Sequence, residues 1–156
     1  MIENLINKFV QVFLKIAYKL ALLYWFIFRP ISFGAIFVIF NSRNEVLLVK
    51  HSYKKFWMFP GGTVKDNEDG KDTAVREIKE ELNISVFPTN LKKIHEFKSN
   101  SEYKRNTNFV YKIHLKNPEI KIDNREITQF KWFPIDKLPK DSSQETIEIT
   151  NKILLK

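Results

Sequence analysis

Polar residues recur every three or four positions near the start of the chain, at Asn4, Lys8, Gln11, Lys15 and Lys19. Leu5, Phe9, Val12, Phe13, Ile16, Leu20 and Leu23 fill the other sides of the same cylinder. The pattern predicts an apolar helix with one narrow polar stripe. From Leu20 to Phe28 the stripe disappears, and Arg29-Pro30 closes the segment. About 20 residues at 1.5 Å rise would cross a bilayer, so a spanning helix is physically allowed. The interior lysines oppose it, each costing about 2.5 to 3.5 kcal/mol near the bilayer centre, so a helix lying in the interface is the cheaper membrane arrangement. Packing on the following domain or on a second copy of the chain is the soluble alternative. No small-residue cleavage site follows the apolar run, which disfavours a signal peptide. If the helix spans, Arg29, Arg43, Lys50, Lys54 and Lys55 on its C-terminal side hold the downstream domain in the cytoplasm. The expectation is a cytoplasmic protein, free or held at the inner face of a membrane, with membrane-surface contact or a homodimer formed through residues 1–29.

Beyond Pro30 the pattern becomes that of an α/β domain. Ile31 to Phe40 is β-branched and aromatic, Asn41 to Asn44 breaks it, and Val46 to Val49 resumes, which predicts a hairpin. Pro60-Gly61-Gly62 marks a turn, and Asp69 to Leu82 has strong helical periodicity. Val86-Phe87-Pro88 ends that unit. Phe109 to Leu115 and Ile127 to Phe133 read as strands, and Glu145 to Leu155 as a closing helix. The organisation expected is therefore a helix over 1–29 and one domain over 30–156.

Composition narrows the chemistry. With 156 residues there is room for one domain, and with no cysteine there is no disulfide framework, thiolate metal site or cysteine nucleophile. A metal must use oxygen or histidine ligands. The excess of 26 Lys plus Arg over 18 Asp plus Glu gives +8, mostly from lysine in a chain also rich in Asn and Ile. Genome bias explains that as readily as an anionic partner, so specific nucleic-acid binding is not expected.

Glu77, Glu80 and Glu81 share one helix face at i, i+3 and i+4, an arrangement that destabilises a helix unless a cation sits among them. Ala74, Val75, Ile78 and Leu82 form the other, apolar side. Asp69 is placed to cap the helix start with Asp72 three residues on, and Asn83 to end it in a left-handed conformation. Gly61 and Gly62 allow close backbone approach, with a carbonyl available to a metal. Hard oxygen ligands select Mg²⁺ or Mn²⁺, and such clusters serve phosphoryl transfer to water.

These residues resemble the box of the Nudix (MutT-like) hydrolases, G-x5-E-x7-R-E-U-x-E-E-x-G-U with U apolar. Here it reads Gly62, Glu68, Arg76, Glu77, Ile78, Glu80, Glu81, Asn83 and Ile84, with Asn83 replacing the family's glycine. Asn67 stands where a glycine often precedes the box glutamate. Trp57 to Gly62 is similar to the family's W-x-x-P-G-G approach, and Trp132-Phe133-Pro134 through Leu138-Pro139 to its C-terminal signature, so the resemblance covers about residues 31 to 140. It implies an α/β/α sandwich around a mixed sheet, here with an extra N-terminal apolar helix. The implied activity is metal-dependent hydrolysis of a nucleoside diphosphate linked to another moiety. By position, Glu77, Glu80 and Glu81 match metal-binding carboxylates, with the Gly61 carbonyl and Glu126 as further ligands. Arg76 and Glu68 match the pair that braces the box, and either Glu77 or Glu80 serves as base. His51, Lys54, Lys55, Lys104 and Arg105 are candidates for substrate phosphates, and Tyr53 or Phe56 for stacking on a base. His95 and His114 read as packing residues. The expected ligand is a small-molecule nucleotide. A Nudix-like module that binds a nucleotide without cleaving it, or a scaffold organised by the helix, would be the other readings.

Overall fold

A computed structural model describes residues 2–155. In chain order the elements are α1 (Ile2–Phe28), β1 (Ile31–Phe40), β2 (Glu45–His51), β3 (Gly61–Thr63), α2 (Gly70–Leu82), β4 (Lys92–Ser99), β5 (Arg105–His114), β6 (Ile127–Pro134) and α3 (Gln144–Ile149), which loosens into a wider turn over Thr150–Leu154. The strands form one mixed sheet in the order β4-β5-β1-β2-β6, with β3 also on β1.

β1 is central because every residue from Ala35 to Phe40 is buried, with its two faces turned to different cores. Ala35, Phe37 and Ile39 pack with Ala74, Ile78 and Leu82 of α2, while Ile36, Val38 and Phe40 pack with Phe59 and with Ile149 of α3. The two cores, one on each side of the sheet, make the expected α/β/α sandwich. Its backbone is the parallel β1–β5 ladder, in register from Ile31↔Arg105 to Phe40↔His114.

The predicted hairpin is present but brief. β1 and β2 are paired at Phe40↔Val46, and nearer its start β1 takes β3 instead, through Gly34↔Thr63, Ala35↔Gly62 and Ile36↔Gly61. β2 turns its other edge to β6. The β3 segment is too short and glycine-rich to be recognised as a strand. β4, also unpredicted, is a mostly exposed edge strand with a bulge at Lys93/His95, so its sequence lacks a buried face. β5 begins four residues before the predicted Phe109, because its first half is polar.

The caps of α2 follow the sequence. The Asp69 carboxylate accepts from the Lys71 and Asp72 amides at 2.7 and 2.9 Å. Asn83 sits at φ 57°, ψ 28°, and the Asn83 and Ile84 amides close the helix on the Lys79 and Ile78 carbonyls at 3.0 and 3.4 Å.

α1 lies along the domain. Among its described residues none is buried, but a half-buried stripe that includes Asn7, Gln11, Leu14, Tyr18, Ala21 and Trp25 faces the protein. Gln11 donates to the Asn124 carbonyl at 2.7 Å, Arg125 to Asn7 at 3.4 Å and Tyr18 to Glu102 at 2.7 Å. Gln11 therefore parts from the exposed Lys8, Lys15 and Lys19 of the polar stripe and joins the inner face.

Because Asn83 holds a left-handed conformation costing an ordinary residue about 1–2 kcal/mol, Asn83→Ala should lower the melting temperature by about 2–4 °C per kcal/mol. Asn83→Gly should leave it unchanged or raise it. Thermal unfolding followed by circular dichroism reads both.

Candidate active site

The glycines of β3 bring its backbone against α2. Phe37 donates to the Pro60 carbonyl and Val64 to the Phe33 carbonyl, both at 2.9 Å. Antiparallel alternation then places Ile36↔Gly61 in a non-hydrogen-bonded pair, so the Gly61 amide and carbonyl point away from β1. The amide meets the Glu81 carboxylate. A Cβ on Gly61 would lie 2.6 Å from the Ala35 carbonyl, and one on Gly62 would overlap the Glu77 carboxylate. Both positions need glycine for this approach.

Arg76 ties the acidic face together. Its guanidinium makes a two-point contact with Glu68 at 2.7 and 2.8 Å, and reaches Glu77 at 2.6 Å, Glu80 at 3.2 Å and the Thr63 carbonyl at 3.3 Å. Thr73 also donates to Glu68 at 3.1 Å. Asn67, at φ 68°, supplies the left-handed turn into Glu68. The Arg76 contacts hold Glu68 at a pKa of about 2. Burial pushes Glu77 up, against the pull of Arg76.

Glu81 is 7% exposed and His51 4% exposed, and their Oε1 and Nε2 atoms are 3.3 Å apart. With Glu126 they form a group whose ligand atoms lie within 4.8 Å of one another. Tyr53 donates to Glu126 at 2.7 Å. A register shift opposite Lys50/His51 pairs His51 with Ile127, beside Glu126. Burial, and then Glu77 and Glu126, raise the Glu81 pKa well above the carboxylate range. Burial, and then Lys54, lower His51 to about 4. Glu81 Oε2 and His51 Nδ1 are buried without a hydrogen-bond partner. Unpaired buried acceptors among several carboxylates fit a divalent cation, which would supply the missing partner and reverse the repulsion.

The cleft in front of this group has a volume of about 940 Å³. Glu77, Glu80, Glu81, Glu126, Gly61, Arg76 and His51 all border it, as do Lys54 and Lys104. His51 is suited to the metal group rather than to substrate phosphate, because burial keeps its ring neutral. Lys54 and Lys104 stand 2.8 and 3.2 Å from Glu102, which they hold at about 2 against its burial. Lys55 is exposed and outside the cleft lining, and Arg105 is turned to the Arg29 carbonyl at 3.3 Å. Neither lines the cleft. Glu81 borders the cleft but is nearly enclosed, by β3 and His51.

Several lining residues carry no motif that singles them out in the sequence. Tyr18 and Trp25 come from α1, Glu102 from the turn before β5, and Asn108 and Glu145 join across the cleft at 2.8 Å. Glu102 and Tyr103 hold φ of 54° and 64°. Their signal is spatial, and nothing in local spacing carries it.

Mg²⁺ or Mn²⁺ at about 100 times its Kd should stabilise the protein by about 2.7 kcal/mol over a chelated sample, a rise in melting temperature of about 5–10 °C. Glu81→Gln should abolish most of that increment. The absence of any metal-dependent shift in the wild-type protein would contradict a cation site here.

Comparison with known proteins agrees with this architecture. Residues 30–153 match the NUDIX domain model. Nudix hydrolase 5 of Arabidopsis thaliana is 30% identical over 105 residues, covering 64% of this chain and 35% of its own. A MutT NUDIX hydrolase from Burkholderia pseudomallei superposes with a TM-score of 0.68 at 22% identity, over 78% of this chain and 97% of that one. The Ap4A hydrolase of Caenorhabditis elegans gives 0.65 at 25% identity, over 78% and 93%. The chain spans 35–38% of the length of the first curated relatives it matches. With the box on α2, the glycine approach on β3 and the mixed sheet between two helical layers, the chain belongs to the NUDIX domain family.

Proposed function

We propose that residues 30–156 form a hydrolase domain that cleaves a phosphoanhydride bond in a nucleoside diphosphate linked to another moiety, with Mg²⁺ or Mn²⁺. Residues 1–29 form an appended helix that meets a membrane surface or a second copy, which would place the protein in the cytoplasm or at the inner face of a membrane. The observation that carries the hydrolytic reading is the buried, unpartnered Glu81 Oε2 beside His51, amid Glu77, Glu126 and the Gly61 backbone. The name of the C. elegans relative, an Ap4A hydrolase, supports a nucleotide substrate.

In this reading Glu77, Glu80 and Glu81 hold the cation, with the Gly61 carbonyl, Glu126 and His51 around them. When bound, the cation neutralises phosphate oxygens and acidifies water. The protein's own groups do the rest. Glu68 fixes Arg76 at two points, and Arg76 in turn aims Glu77 and Glu80 into the cleft. Tyr53 positions Glu126. Water's oxygen bonds to phosphorus as the bridging P–O bond breaks, and its proton passes to Glu77 or Glu80 and on to solvent. Glu80 has the more open side chain, 56% exposed against 15% for Glu77, and so the easier route for that proton. Lys54 and Lys104 offer charge to the substrate phosphates, exchanging Glu102 for them.

The test is product release from a panel of nucleoside diphosphate derivatives with Mg²⁺, Mn²⁺ or chelator. Glu80→Gln should lower kcat by about 10²- to 10⁴-fold with an unchanged melting temperature. A folded variant of undiminished rate would sink the catalytic role of Glu80. Folded wild-type protein that cleaves nothing, yet is stabilised by a panel member, would replace the hydrolase with a nucleotide-binding module.

A further inference from the structure

α1 has two apolar faces, and the domain covers one. On the opposite side, Phe9, Val12, Ile16, Leu20, Leu23 and Ile27 recur at spacings of three and four and are each more than half exposed. That face runs the length of a 27-residue helix. Lys8, Lys15 and Lys19 line one flank of it, and among the described residues none has an acidic partner. Glu3 is the single acid in α1. A second copy would therefore bring lysine toward lysine with no countercharge, whereas an anionic lipid surface pairs each one. The inner contacts, from Asn7 near one end to Phe26 edge-on to Tyr103 at 5.2 Å near the other, keep the helix lying along the domain rather than standing away from it.

The covered face is the other half of the observation. Leu14, Ala17, Tyr18, Ala21 and Trp25 form a wall of the same cleft that Glu77 and Glu80 line. The same helix thus separates the candidate reaction centre from the exposed apolar surface. Lys104, 4.0 Å over the Trp25 ring, and Lys54, 5.6 Å over Tyr18, set positive charge against the apolar wall, where both are paired with Glu102 until a phosphate displaces it. A ligand seated there meets cations at its phosphates and aliphatic or aromatic side chains beyond them.

We propose that α1 lies in the plane of an anionic membrane surface and that its inner face receives the apolar group of a lipid-linked nucleoside diphosphate, which the cleft hydrolyses. This rests on the hydrolase reading above and supplies the linked moiety it left open. Water's oxygen bonds to one phosphorus and the bridging P–O bond breaks. The products are a nucleoside monophosphate and a lipid phosphate, and water's protons leave through a cleft carboxylate and the product phosphates.

The full chain is tested by sedimentation with phosphatidylcholine vesicles, with and without about a quarter phosphatidylglycerol. The anionic vesicles should bind about a hundredfold more tightly, an advantage that salt removes. Ile16→Ser with Leu20→Ser, on the outward face, should lose at least about tenfold in partition while hydrolysing soluble CDP-choline at the wild-type rate. CDP-diacylglycerol carried in the vesicles should be cleaved at least about tenfold more efficiently than CDP-choline, which shares its head. Ala17→Phe, which fills the inner wall, should erase that preference without altering partition. Absence of vesicle binding, or a solution dimer dissolved by the outward-face variant, overturns the lipid surface. Cleavage of CDP-choline with equal or poorer cleavage of CDP-diacylglycerol overturns the lipid subsite alone. If neither is cleaved by folded, metal-loaded protein, hydrolysis of this substrate class fails, and vesicle partition still decides the surface.

Discussion

Carboxylates crowded at one end of a cleft repel one another, and the surrounding fold is organised to hold them there. Arg76 is the main internal counterweight, bonded at once to Glu68, Glu77 and Glu80. It offsets the charge on α2 but does not reach into the pocket that encloses Glu81 and His51. There burial first, and then the repulsion of Glu77 and Glu126 that nothing in the protein alone balances, raise the Glu81 pKa. Structural stability is not the purpose of such a cluster, because apolar residues at the same positions would pack at lower cost. The glycines of β3, the left-handed Asn67 and the Asp69 cap all serve to keep α2 at one height and rotation against this charge.

The parts of this arrangement that are legible in the sequence are those whose information is local. α2, its two caps and the box residues share one helical period, and β1 announces itself because almost every position is apolar. The elements that escape depend on distant partners. β3 is a strand only because β1 offers an edge, and β4 is an edge strand whose exposed positions carry lysine and glutamate. His51 is visible as a polar residue in the sequence, but its place beside Glu126 comes from a register shift, and its neutral state from burial, neither of which local spacing carries. Lys55 and Arg105 look equivalent to Lys54 and Lys104 in the sequence, since neighbouring lysines and arginines are indistinguishable until the backbone decides which way each points.

α1 is the clearest example of a segment with two meanings. Its periodicity is compatible with a membrane, the domain or a second copy. The structure shows that docking on the domain uses one stripe and leaves the other apolar stripe without a partner among the described residues. Tyr18 links the helix to Tyr53, 5.0 Å away, and Tyr53 bonds Glu126, so the appended helix touches the candidate centre through two aromatic rings.

The order of α1 along the chain also sets a problem during synthesis. Its inner face rests on Glu102, Tyr103, Asn124 and Arg125, which emerge roughly a hundred residues later, or about 5–20 s at ordinary rates of translation. For that interval the most apolar helix of the protein exists with neither of its faces covered. β5, which carries the Glu102 turn into place beside β1, is itself among the last strands made. The nascent chain must therefore keep α1 from aggregating before the domain that shelters half of it exists.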